Sequence, residues 1–176
     1  TRSVYFEDMY IPKENVLGNP SKGFKQFLRT LTGGRITIGA LALGTAQGAY
    51  ERALKYSCER EAFGKQINKF QAISFKLADM ATSIEASKHL VYNAAYLKDK
   101  GEDIIKEAAM AKLFSSEMCM RVTTEAIQVL GGYGYIKEYD VERFFRDSKI
   151  LEIGEGTSEV QRIIISREIL KNISPV

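Results

Sequence analysis

The sequence predicts an all-α fold, an antiparallel four-helix bundle, with a short β-prone run at its N-terminus. Three observations predict it. From about residue 24 onward the chain reads as helical, and one long stretch carries an apolar stripe at helical period. Glycines and acidic residues punctuate the stretches at short intervals, so neighbouring helices are joined by short connections. Helices with a single apolar stripe must bury it against each other, and a bundle does this most simply.

The elements follow in order. Val4, Tyr5 and Phe6 form a short β-prone run, and residues 8–18 read as a turn-rich connection containing Pro12. A lone strand without partners is unstable. Residues 1–20 are therefore read as the tail of a β-rich domain outside this chain, with its linker, and residues 21–176 as the helical bundle. The absence of an initiator Met adds to the expectation of a fragment or processed chain. Pro20 and Gly23 punctuate the entry to the first long helix. Residues 36–56 are rich in Ala, Leu and Gly, with no Pro. Gly39, Gly44 and Gly48 each cost roughly 1 kcal/mol of helix propensity relative to Ala, which is tolerated where a backbone or ligand approaches closely. Phe70, Ile73, Leu77, Met80, Ile84 and Val91 lie on one stripe of the second helix, with Lys76, Asp79, Lys88 and Lys98 off it. Gly101 ends that helix as a left-handed residue. Glu102 and Asp103 open the third helix, favoured by its dipole. Its apolar face is Ile105, Ala108, Ala109, Leu113, Met120, Ile127 and Leu130, and Gly131 and Gly132 stop it. A short amphipathic piece, residues 141–146, leads to a last helix over about 157–170, capped by Thr157.

Composition excludes several classes. The chain has 176 residues, 45% apolar and 27% charged, which fits one ordinary globular domain. Its net charge of +3 comes without a dense basic run, so nucleic acid is not expected as a partner. No apolar run is long enough for a membrane span, and no secretory signal is visible. The two cysteines, Cys58 and Cys119, sit far apart in what read as polar contexts and are expected as reduced thiols. A single histidine, His89, argues against a zinc site, a Ser-His-Asp triad or a di-iron bundle, and no metal is expected.

Three stretches carry possible chemistry. Gly131-Gly132-Tyr133-Gly134 resembles a phosphate loop, but a helix precedes it where a dinucleotide fingerprint needs a strand. It could equally be a plain helix stop, with Gln128 one turn upstream capping a carbonyl or meeting a ligand. Arg60-Glu61-Ala62-Phe63-Gly64-Lys65 joins two helices. Its cations could hold a pyrophosphate, or it could be a solvated loop with Phe63 in the core. Glu152-Ile153-Gly154-Glu155-Gly156-Thr157-Ser158-Glu159 places a carboxylate between glycines just before a helix. Backbone there can adopt unusual angles and deliver a base into a pocket.

Taken together the stretches resemble the C-terminal part of the acyl-CoA dehydrogenase family. The resemblance rests on RITIGALALGTAQGAYERALKY, REAFGKQINKFQAISFKLADM, AIQVLGGYGYIKEYDVERFFRD and EGTSEVQR in that order, with VYFEDMYIPKENVLG resembling the exit of the family's middle β-domain. It implies FAD-dependent oxidation of an acyl-CoA thioester to the trans-2-enoyl-CoA, by α-proton abstraction and transfer of the β-hydride to FAD. The thioester oxygen must be held by hydrogen bonds to acidify the α-carbon. The base must gain proton affinity as substrate dries the site. The resemblance assigns the base to Glu155. Some members, the isovaleryl and long-chain types, place it where this chain has Gly34, which has no carboxyl.

Other roles carry over by position. Arg60, Phe63, Gln71, Gln128, Gly131 and Gly132 match positions that contact the FAD of a neighbouring subunit. Thr157 and Glu159 match positions that touch FAD in their own subunit. Thr32, Arg35 and Gly156 match substrate-contacting positions. Three departures stand out: Thr32 replaces a usual Asp, Gly154 a frequent Tyr, and Ala62 a Thr found in some members. The resemblance further implies an electron-transfer flavoprotein as acceptor and a homo-oligomer, dimer or tetramer. Its location would be cytoplasmic if bacterial or the mitochondrial matrix if eukaryotic. Two alternatives remain: a helical oligomerisation module without activity of its own, or an acyl-CoA oxidase-type member.

Overall fold

The computed structural model describes residues 2–171 and residue 173, and within them it is an all-α bundle. The helices are α1 (Gly23–Glu59), α2 (Gln71–Asp99), α3 (Ile105–Leu130), α4 (Val141–Ile153) and α5 (Ser158–Leu170). Helix α3 packs against each of the other four, so it forms the axis of the molecule. Three long helices are the frame, and the two 13-residue helices α4 and α5 complete it, with a break at residues 154–157.

The α2 stripe behaves as its period predicts. Leu77, Met80, Ile84 and Val91 are buried, and Ile73 is half-buried. On α1 the buried line is built from small residues, Ala42, Ala46, Ala49 and Ala53, while Leu41 and Leu54 face outward. Small side chains let the α1 and α3 backbones approach closely, which is why leucine periodicity did not reveal this face. A Cβ on Gly39 would stand 3.5 Å from the Ala111 backbone, and one on Gly48 3.1 Å from the Phe144 ring, whereas Gly44 faces open space. Helix α3 is buried on more than one side because it has neighbours all round. Ala111, Ser115, Ser116, Met118, Cys119, Val122, Thr123 and Ala126 join Ala108, Ala109 and Leu130 inside, and Ile105, Leu113, Met120 and Ile127 are only half-buried. Ser87 and Ser115 pair through their hydroxyls at 2.7 Å, and Ser116 donates to the Leu113 carbonyl, so burial leaves no orphan at these contacts.

Several expectations are corrected. Val4, Tyr5 and Phe6 form no strand; they are exposed and find no partner strand among the described residues. The ribbon that does form, β1 (Glu61–Ala62) with β2 (Lys65–Gln66), is antiparallel and lies in the α1–α2 connection. Phe63 at its tip is 95% exposed and takes no place in the core. Helix α1 runs 37 residues and passes through Gly33-Gly34 unbroken. Residues 141–146 are the start of a full helix, because Val141, Phe144, Ser148 and Leu151 continue the inward period past the charged pair Arg146 and Asp147. Helix α3 begins at Ile105, two residues after Asp103, whose carboxylate accepts from the Ile105 N–H. Cys119 is buried in the main core, although its flanks read as polar, and Cys58 is exposed. Gly101, with φ +78°, ends α2 as expected.

Candidate active site

Glu155 sits in the turn between α4 and α5. Its φ is +56° and that of Gly156 is +94°, two consecutive left-handed residues. For a residue with a Cβ this conformation costs about 1–2 kcal/mol, so it persists only where surrounding contacts hold it. Those contacts are present. Gln161 Nε2 donates to the Glu155 carbonyl at 3.2 Å and to the Gly156 carbonyl at 2.8 Å. Lys112 Nζ, from the first third of α3, donates to the Gly156 carbonyl at 2.9 Å. Thr157 caps α5, its hydroxyl accepting from the Val160 N–H.

This backbone turns the Glu155 side chain toward the first third of α1. A Cβ on Gly34 would stand 2.6 Å from Glu155 Oε2, so the carboxyl occupies the space that a side chain at 34 would take. Oε2 is buried and has no hydrogen-bond partner. Arg35 is buried beside it, and its Nε is also unpartnered. Burial pushes the Arg35 guanidinium below its ordinary pKa, and the Glu155 charge acts in the opposite direction. Arg35 Nη1 donates to the Thr32 hydroxyl at 3.5 Å. Thr32, Gly33 and Gly34 in turn line a cavity of about 970 Å³ that also carries Lys25, Arg29 and Lys98. Thus Glu155, Gly156, Arg35 and Thr32 come together, as one unit.

A second group gathers at the far end of α1. Arg60, Gln128, Gly131 and Gly132 line one cleft of about 550 Å³, with Tyr56 and Tyr133 in its walls. The Arg60 guanidinium lies 5.6 Å from the Tyr133 ring centre, a cation–π arrangement. Gly131 has φ +62° and ψ −134°, which only glycine adopts readily. No atom lies within 4 Å of where a Cβ would stand at Gly131 or Gly132, so backbone is open to an approaching group. Phe63 and Gln71 do not line this cleft; Phe63 packs edge-on against Phe70 with ring centres 6.3 Å apart, and Gln71 starts α2 on the surface. Glu159 lies elsewhere again, in a groove of about 680 Å³ between α2, α3 and α5 with Lys76, Glu117 and Arg121. Its own backbone N–H and Thr157 hold its carboxyl below the usual range.

Lys112 and Gln161 are the site residues that motif reading passed over. A signal existed: Lys112 shares its helix face with Ala108 and Ser116, both buried, an unusual company for a lysine.

A bundle that offers a buried carboxyl on a strained turn, and a separate cleft of amide, guanidinium and open glycine backbone, is the fold of a known enzyme domain. Residues 21–170 match the family described as acyl-CoA dehydrogenase, C-terminal domain, and the chain belongs to that family. It is 56% identical over 171 residues to the protein named Probable acyl-CoA dehydrogenase YngJ of Bacillus subtilis (strain 168), covering 97% of this chain and 45% of that one. It is 51% identical, with the same coverage, to the caffeyl-CoA reductase-Etf complex subunit CarC of Acetobacterium woodii. It superposes on the solved butyryl-CoA dehydrogenase of Megasphaera elsdenii with a TM-score of 0.92 and 52% identity, over 94% of this chain and 43% of that one. The chain thus spans somewhat under half the length of these relatives. Among the described residues, no helix is long and apolar enough to cross a membrane.

Proposed function

We propose that this chain supplies the catalytic base, Glu155, and part of the FAD and substrate sites of an acyl-CoA dehydrogenase acting on a short acyl thioester. The observation that carries the proposal is the buried, unpartnered Oε2 of Glu155, held over Gly34 on left-handed backbone. A carboxylate left without a donor inside a protein is costly, and the cost is expected where an incoming group completes the site. Arg35, buried beside Glu155, brings a guanidinium to the same pocket. The cavity beside Thr32 carries three cations, Lys25, Arg29 and Lys98, against two acidic residues, Glu102 and Asp103, and the cations fit the anionic phosphates of a CoA ester.

The residues present also fit FAD. Arg60 and Gln128 bring donors to one cleft, and the bare backbone at Gly131 and Gly132 lets a phosphate or planar group approach closely. These residues would hold part of an FAD, which would supply the acceptor for the electron pair and hydrogen leaving the β-carbon. Glu155 takes the α-proton, and Thr32, Arg35 and Gly156 shape the wall that keeps water from it. Glu155 lies over Gly34 whereas Arg60 follows the last residue of α1, roughly 38 Å further along the helix at 1.5 Å per residue, which supports a site assembled across two subunits of a homo-oligomer. An electron-transfer flavoprotein is the proposed acceptor, supported by the Etf in the name of the Acetobacterium woodii relative. That same name favours a second reading, in which Glu155 returns a proton to the α-carbon of an enoyl thioester. Assay in both directions separates the two.

The test is Glu155→Gln in the full-length enzyme. Loss of a positioned base lowers turnover by about 100-fold to 10,000-fold, while FAD content stays at the wild-type level. Near-normal turnover removes Glu155 from the mechanism.

A further inference from the structure

The geometry points to Lys112 as a positioning residue for the base, acting through the Gly156 carbonyl; this rests on Glu155 being that base. Lys112 is fully buried, with a relative exposure of 0%. Its one hydrogen bond is to the Gly156 carbonyl, at 2.9 Å. Burial pushes its ammonium below the ordinary lysine pKa and Arg35 adds to this, while Glu152, Glu117 and Glu159 oppose it from a distance without a hydrogen bond to it. A buried ammonium with a single neutral acceptor is a poor stabilising device. A well-packed apolar side chain of the same length serves folding as well or better. The contact is therefore explained by what it holds.

It holds the second of two consecutive left-handed residues. Gly156 O receives Lys112 from α3 and Gln161 from α5, and Glu155 O receives Gln161 as well. The turn is thereby pinned to two helices at once. Gln161 ties the turn only to the helix that the turn itself begins, so without Lys112 the carbonyl of Gly156 has no direct hydrogen bond to the central helix. Lys112 is the direct hydrogen bond from the turn to the central helix, and so to the frame that carries Gly34. Since the Glu155 carboxyl sits in the space above Gly34, a small drift of the turn moves it off the reacting carbon. A displacement near 1 Å costs up to about 100-fold in rate.

The experiment is a double-mutant cycle on the full-length enzyme with Lys112→Met and Glu155→Gln, reading kcat, KM, FAD content and Tm. Lys112→Met leaves Gly156 O paired with Gln161, so the variant folds. It is expected to lower kcat by about 10-fold to 100-fold with KM and FAD content unchanged. In the Glu155→Gln background it is expected to cost less than about twofold more, because it acts through the group already removed. Lys112→Gln, which keeps a shorter donor, recovers part of the loss. The proposal is overturned if Lys112→Met leaves kcat intact, if it costs the same factor in both backgrounds, or if neither Lys112 variant yields folded enzyme. Near-normal turnover of Glu155→Gln by itself would instead remove the base assignment, whatever Lys112 does.

Discussion

Glu155 and Gly34 face each other so closely that one cannot gain a side chain without moving the other. A Cβ at 34 would lie 2.6 Å from Oε2 and 3.0 Å from Cδ of Glu155, and these are the far end of a flexible side chain. Gly34→Ala is therefore accommodated by rotating the carboxyl away, at little cost in folding. Turnover is expected to fall by up to about 100-fold while Tm hardly changes, measured by steady-state assay and thermal melt on the full-length protein. The two cysteines differ just as sharply. Burial pushes the Cys119 thiol up to about 12, whereas Cys58 lies on the surface. Since the thiolate is the nucleophile, iodoacetamide at pH 8 is expected to label Cys58 and spare Cys119 in the folded protein. Mass spectrometry of the peptides reads this directly, and labelling of both at equal rates would contradict it.

At the scale of elements, glycines divide by what stands next to them. A Cβ on Gly134 would lie 2.6 Å from the Ile127 carbonyl oxygen and 2.9 Å from its Cα, backbone that cannot swing aside. Gly134→Ala is expected to destabilise by about 1–3 kcal/mol, read as a lowered denaturant midpoint. Gly44 stands in the middle of α1 with open space around it. Gly44→Ala is expected to stabilise by up to about 1 kcal/mol through helix propensity. The same contrast explains what could be read from the chain alone. The α2 stripe was legible because large side chains repeat at helical period, from Leu77 to Val91. The α1 face was not, because it is written in Ala42, Ala46, Ala49 and Ala53, residues that are at home inside or outside. Helix α4 was cut short in the reading because Arg146 and Asp147 interrupt the apolar pattern on its exposed side only. The strand at Val4–Phe6 was a propensity without a partner.

For the whole molecule, the candidate site was legible as motifs and not as an assembly. EGTSEVQR and AIQVLGGYGY pointed to Glu155, Gln128, Gly131 and Gly132 only through their resemblance to a known family, since glycines and a carboxyl in fixed order leave a trace in the letters. Lys112 left almost none, because its role comes from a contact between residues 44 positions apart. The global fold also carries a pH signature. The Cys119 thiol is raised in the folded state from an ordinary value of 9.0 to about 12, so its contribution to stability is full below pH 9 and is lost as pH rises toward 12. Across that window it is expected to remove about 1.4 kcal/mol per pH unit, so Cys119→Ala is expected to lessen the alkaline slope by that amount in denaturant titrations at stepped pH.

The central claim, that the α4–α5 turn delivers a base to the substrate, is tested most directly by a crystal structure of the full-length enzyme with an unreactive acyl-CoA analogue. The Glu155 carboxylate is expected within about 3–3.5 Å of the α-carbon, over Gly34. A carboxylate turned into solvent, with the thioester bound elsewhere, would contradict it.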